Sequence, residues 1–176
     1  LGAAQLSPDG TLLYLSHSHL SSNRYSIRCL DLANDRELWQ TEPQVDRSLA
    51  AMAISADGLV LASSSGFSDY AIHIWEASTG QLLHKLKGHT SWVCGLAFSK
   101  DGKRLVSSSN DQSIRVWDTS TWIESRKMQG HSDPVYAIAI APNTPLAASA
   151  SKKGELMLWN LEGSDSADAN AQQSII

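Results

Sequence analysis

The sequence predicts an all-β chain assembled from repeated units of short antiparallel strands, and three observations predict it. The first is the stretch 88–118, GHTSWVCGLAFSKDGKRLVSSSNDQSIRVWD, where apolar runs alternate with turn residues. Its Asp101-Gly102 lies between two such runs, a hairpin signal because glycine accepts the positive φ of a tight turn at little steric cost. Runs 92–98 and 103–109 are therefore expected to pair antiparallel. The second is recurrence of that turn: Ser-Lys-Asp-Gly at 99–102 has counterparts in Ser-Pro-Asp-Gly at 7–10, Ser-Ala-Asp-Gly at 55–58 and a weaker Ala-Pro-Asn-Thr at 141–144. The third is a ruler along the chain. The third strand of each unit closes on Leu30, Trp75, Trp117 or Trp159, spaced 45, 42 and 42 residues apart, followed by Asp31, Glu76, Asp118 or Asn160.

A period of about 40 to 45 residues with Gly-His and Trp-Asp signatures marks a four-stranded propeller blade. The expected fold is thus a β-propeller of four-stranded antiparallel blades. Four blades fill residues 1–163, at about 1–41, 42–87, 88–129 and 130–163, and a polar tail follows at 164–176. On these motifs the sequence resembles the WD-repeat β-propeller family. Propellers commonly close about four to eight blades. Because the chain starts at a first strand and ends after a third, the resemblance implies an incomplete ring, closed by further blades or by self-association.

In the first repeat the strands are expected at 2–6, 12–15, 27–32 and 37–40, with a long polar connection at 17–25. His17 and His19 there could share one face of an extended segment, which is metal-like spacing. With no further ligand type close by, no metal is expected. The second repeat places strands at 49–54, 59–65, 71–75 and 81–86, with an insertion at 66–70 that carries Phe67 and Tyr70. The third is the reference copy, with 122–128 as its outer strand. The fourth begins at Gly130-His131, continues through 135–140, 145–150 and 155–161, and offers no β-run for a fourth strand. Aligned first strands put Leu49, Val93 and Val135 in one row and small residues Ala51, Gly95 and Ala137 in another. Both faces are apolar, as in strands covered on two sides.

With 42% apolar and 18% charged residues the chain is ordinary for a globular protein. Its apolar runs reach strand length, far short of the roughly 18 residues that span a bilayer, so no membrane partner is expected. A net charge of −4 argues against a nucleic-acid surface. The cations come as scattered pairs, Lys103-Arg104, Arg126-Lys127 and Lys152-Lys153, which read as solvated blade edges. Cys29 and Cys94 fall in different repeats and read as separate thiols, consistent with a cytoplasmic, reducing location.

His89, Ser107 and Asp111 are the ingredients of a nucleophilic hydrolase, but a triad is recognised by geometry rather than inventory. There is no Gly-x-Ser-x-Gly elbow and no phosphate loop. The family resemblance implies instead a buried hydrogen-bonded tetrad of His89, Ser107, Asp111 and Trp117, with Ser109 as an alternative serine. Repeat four keeps His131, Ser149 and Trp159 but has Lys153 at the Asp position; repeat two keeps Ser63, Asp69 and Trp75 without the His. One blade alone is expected to hold the full set. The resemblance further implies a non-catalytic scaffold that needs no cofactor and takes protein or peptide partners on the face carrying the strand-four-to-one and strand-two-to-three loops. That face should present Arg47, Phe67, Ser68, Thr90, Trp92, Asn110, Ser132 and Lys152. The alternative is the regulatory or substrate-recognition portion of a larger enzyme.

Overall fold

The computed structural model describes residues 2–19, 24–42, 51–65, 69–162 and 173–174, the side chains of residues 18, 19, 173 and 174 apart. The first sheet holds β1 (Ala4–Leu6), β2 (Leu12–His19), β3 (Arg24–Asp31) and β4 (Arg36–Gln40). The second holds β5 (Met52–Ile54), β6 (Val60–Ser64), β7 (Ile72–Glu76) and β8 (Leu82–Leu86). The third holds β9 (Val93–Phe98), β10 (Arg104–Ser109), β11 (Ser113–Asp118) and β12 (Ile123–Gln129). The fourth holds β13 (Val135–Ile140), β14 (Leu146–Ser151), β15 (Leu156–Asn160) and β16 (Gln173–Ser174). In every sheet the strands neighbour one another in chain order, and each pairing is antiparallel. Among the described residues there is no helix.

Two expectations are corrected. The polar connection at 17–25 is largely strand: β2 and β3 continue pairing through His17 with Ser26 and His19 with Arg24. Apolar alternation fades there, but the backbone ladder does not need it, and buried Tyr25 donates its hydroxyl to the Ser64 carbonyl of the second blade at 3.3 Å. The segment 164–176, expected as a tail with no fourth strand, contributes β16, whose Gln173 and Ser174 pair with Leu158 and Met157. An open edge of unpaired N–H and C=O groups attracts such pairing whatever the side chains.

The repeated turn has one mechanism. At the β9–β10 corner Ser99 Oγ donates to Asp101 Oδ1 at 2.6 Å and accepts from Arg104 N at 3.0 Å, while Lys103 N donates to the same carboxylate oxygen at 3.1 Å. Gly102 takes φ +71°, the left-handed region that a β-carbon would strain. Asp9 and Asp57 repeat the arrangement with Ser7 and Ser55. At the fourth turn Ala141 replaces the serine, and the backbone bond from Ala141 N to Leu146 O, 2.8 Å, stands alone among the described bonds there.

Blades stack face to face, and three apolar clusters mark the three seams. Ile27, Cys29 and Tyr14 of the first blade meet Leu61 and Trp75 of the second. Ile72 and Ile74 meet Leu105 and Trp117; Ile114 and Val116 meet Ala147 and Trp159. The innermost strands β1, β5, β9 and β13 follow one another side by side. Their approach is tight where small residues were expected: a β-carbon on Gly95 would stand 2.6 Å from Ser108 Oγ and 3.1 Å from Ile138. The ring is not closed. Among the described residues no further blade covers the outer side of the fourth, and Ala148 is exposed where its counterpart Val106 is fully buried.

Candidate functional site

The third blade brings His89, Ser107, Asp111 and Trp117 into one hydrogen-bonded chain. His89 precedes β9, Ser107 lies in β10, Asp111 stands in the β10–β11 turn and Trp117 in β11. His89 Nδ1 meets Asp111 Oδ2 at 2.8 Å, and its Nε2 meets Ser107 Oγ at 2.8 Å. Trp117 Nε1 donates to Ser107 Oγ at 3.0 Å. Ser107 Oγ thus sits between the indole and one nitrogen of the His89 ring, whose other nitrogen faces the Asp111 carboxylate. Ser109, the alternative serine, lies outside this chain: its hydroxyl donates to Ser91 O at 3.1 Å and accepts from Asp111 N at 3.1 Å.

Asp111 does more than meet the histidine. It also accepts from Thr90 N at 3.0 Å, Ser113 N at 3.0 Å and Ser113 Oγ at 2.6 Å. Burial by itself would raise this carboxyl, but the hydrogen bonds from His89 and Ser113, the attraction of the His89 ring and the Thr90 N–H outweigh it. They hold Asp111 well below the usual carboxylate range. The order Ser-His-Asp is that of a nucleophilic triad, yet Ser107 is 0% exposed and engaged on both sides. No substrate carbonyl reaches a hydroxyl so placed, and the arrangement satisfies buried polar groups instead.

The fourth blade corrects the sequence reading. His131 Nε2 meets Ser149 Oγ at 2.6 Å, and Trp159 Nε1 donates to the same oxygen at 2.7 Å. The carboxylate comes from Glu155, whose Oε2 lies 2.8 Å from His131 Nδ1. Lys153, at the position aligned with Asp111, points away to Asp133 at 3.0 Å with its side chain 77% exposed. Glu155 aligns with Ser113, whose hydroxyl lies 3.5 Å from His89 Nδ1. A side chain at that position already faces the histidine, and glutamate has the length to reach it. The signal was therefore an acidic residue two places beyond the expected one.

The other blades hold partial sets. In the second, Trp75 Nε1 donates to Ser63 Oγ at 2.8 Å, while Asp69 bonds Ser65 Oγ and accepts from Ala71 N at 3.1 Å. In the first, Leu15 and Leu30 stand where the serine and tryptophan would be. Tyr14 and Cys29 pack beneath instead, and burial pushes them up to about 12 and about 11.

Directly above the third-blade network lie residues expected on the binding face. Thr90 and Trp92 are exposed, Trp92 at 38%. Asn110 N donates to Trp92 O at 2.8 Å, and Asn110 Oδ1 accepts from Cys94 Sγ at 3.3 Å. Ser132 and Lys152 are exposed on the same side of the fourth blade, where Lys152 N donates to Pro134 O at 2.8 Å. Arg47, Phe67 and Ser68 lie outside the described residues. Tyr136, not among the expected residues, is 47% exposed. It lines a cavity of about 340 Å³ with Met52 and Cys94 along the inner strands. An aromatic at the place of Cys94 in the aligned first strands was the available signal. Among the described residues no group of His, Cys, Asp and Glu side chains could hold a metal ion.

Four-stranded blades packed seam to seam around inner strands, two of them with a His-Ser-Trp-carboxylate network, define a WD-type propeller segment. The WD domain, G-beta repeat family model matches residues 80–118 and 122–160, which span the third blade and most of the fourth, so the chain carries WD repeats. It is 34% identical over 107 residues to the uncharacterized WD repeat-containing protein sll1491 of Synechocystis, covering 61% of this chain and 28% of that protein. It is 46% identical over 55 residues to the probable serine/threonine-protein kinase PkwA of Thermomonospora curvata, covering 30% of this chain and 7% of the kinase. The solved structure of U3-55K superposes with a TM-score of 0.79 at 29% identity, over 89% of this chain and 47% of that one. The chain thus spans less than half the length of each of these proteins.

Proposed function

We propose that this chain is a non-catalytic protein-interaction scaffold that takes peptide or protein segments on the face carrying Thr90, Trp92, Asn110, Ser132 and Lys152. The observation that supports it most is the pairing of a part-exposed Trp92 with the network beneath. Asp111 holds Thr90 N, and Asn110 N holds the Trp92 carbonyl, so loop residues are anchored on buried structure. Recognition concentrates on loops fixed by a rigid scaffold, and tryptophan is enriched at binding hot spots. Trp92→Ala and Asn110→Ala are expected to weaken partner capture by about 1 kcal/mol or more each with melting unchanged. A pull-down from lysate compares them with the unaltered chain; retention of every partner by both variants would overturn the assignment.

A second reading follows from the likeness to a protein named as a kinase. On it, the segment recognises substrate or regulates activity for a catalytic domain elsewhere in one polypeptide. The full reading frame separates the two, since only the second requires a catalytic domain in it.

A further inference from the structure

The fold sets the cations of one turn, Lys100, Lys103 and Arg104, beside Arg126 of another strand and beside the fourth blade. Lys103, Arg104 and Arg126 line one cavity of about 380 Å³ together with Leu161 of the fourth blade. A neighbouring cavity of about 250 Å³ shares Arg104 and Leu161 with it, and there Lys100 lies across from Ile140 and Pro145. Both open at the strand ends opposite to Thr90 and Trp92. The seam between the third and fourth blades therefore carries, on that side, an apolar floor and a wall of four cations interspersed with Asp101, Asp118 and Glu162.

The other seams are filled at the equivalent place. Arg126 stands opposite Val116 in its sheet, as Trp39 does opposite Cys29 and His84 opposite Ile74. Trp39 Nε1 donates to Ala77 O of the next blade at 3.1 Å, and the His84 ring lies 5.7 Å from that of Trp122. Arg126 donates instead to Asn160 O at 2.8 Å, at the rim of an open cleft.

The carboxylates around the cleft are engaged locally. Asp101 accepts from Ser99 Oγ at 2.6 Å and Lys103 N at 3.1 Å; Asp118 accepts from Ser120 N at 2.8 Å and Ser120 Oγ at 2.5 Å. These bonds hold both in their turns, while Lys100 and Lys103 are exposed. Glu162 approaches Arg104 at 3.6 Å with its side chain 60% exposed, a contact an incoming carboxylate can replace.

We propose that this cleft binds an acidic segment of a partner protein, its carboxylates against Lys100, Lys103 and Arg104 and its apolar side chains on Ile140, Pro145 and Leu161. A chain of net charge −4 otherwise repels such a ligand, so a local basic wall gives both attraction and register. The site is on the side opposite to the face proposed above, and each stands or falls alone. Fluorescence anisotropy of the full chain with a labelled peptide of alternating glutamate and leucine tests it. Binding is expected, weakening about tenfold or more between low and high salt. A similar loss is expected in the Lys100→Glu/Lys103→Glu variant with melting unchanged, whereas Lys100→Arg/Lys103→Arg retains binding and Trp92→Ala leaves it intact. No binding, equal binding of a glutamine-leucine peptide, or full binding by the charge-reversed variant would overturn the proposal.

Discussion

In the third blade the carboxylate that meets the histidine comes from the β10–β11 turn; in the fourth it comes from Glu155, immediately before β15. The rings are equally buried, with His89 and His131 at 6% and 5% exposure, and both serines accept from a tryptophan. What differs is how much else depends on the carboxylate. Asp111, whose side chain is 7% exposed, serves the histidine, Thr90 N and Ser113 together. Glu155, at 28%, serves the ring from nearer the solvent. A buried imidazole fixes the need for an acceptor but not the position that supplies it. The position decides whether the network also holds a loop.

The largest expected effect follows from removing the shared acceptor. Asp111→Ala leaves the His89 ring, Thr90 N and Ser113 without their partner, and a loss of about 1–3 kcal/mol toward the upper end is expected in urea unfolding. His89→Ala should fall in the same range. The pH dependence has a definite sign. Because the folded Asp111 carboxyl lies below its ordinary value near about 3.9, its contribution is present above that pH and is lost as pH falls below it toward the folded value. The Asp111→Ala variant should therefore show a shallower loss of stability below about pH 4 than the unaltered chain; equal slopes would contradict the assigned pairing.

Next in size is the fourth-blade counterpart. Glu155→Ala is expected to cost about 1 kcal/mol, less than Asp111→Ala, because water can reach the His131 edge that the glutamate leaves. A combined Asp111→Ala/Ser113→Glu variant transplants the fourth-blade solution into the third. It should recover about 1 kcal/mol of the loss, but not the bond to Thr90 N. If the double variant is no more stable than Asp111→Ala alone, position 113 does not face the ring as its 3.5 Å approach indicates.

These contrasts also show what was legible in the sequence. The Ser-x-Asp-Gly turns and the 42-residue ruler set the blades because each encodes a local geometry: a carboxylate closing a tight corner, and an indole reaching a serine on the neighbouring strand. The Asp111 network was legible through the family resemblance, which implies a His, a Ser, an Asp and a Trp at these places. Glu155 was not, because an aligned position names a backbone place, whereas reach depends on side-chain length and direction across strands. The extension of β2 and β3 and the pairing of β16 are backbone events with little apolar signature. The basic cleft was hidden because Lys100, Lys103 and Arg104 of one turn read as solvated, and only the seam between blades sets Arg126 and the apolar side chains of the fourth blade beside them.

The smallest effect is expected at Lys153, the residue that alignment places opposite Asp111. Its ammonium pairs with Asp133 at 3.0 Å from a side chain 77% exposed. A pair whose ammonium stands this far in solvent gains little, although Asp133 is only 15% exposed, because water screens the attraction and the long side chain loses rotamer freedom to hold it. Lys153→Ala should therefore change stability by less than about 0.5 kcal/mol, and that small change should shrink further as salt is raised. Urea unfolding at two salt concentrations, beside Glu155→Ala, measures it. A loss at Lys153 as large as that at Glu155 would mean that the aligned position does carry the fourth-blade network, and that the histidine there is held by something other than the glutamate.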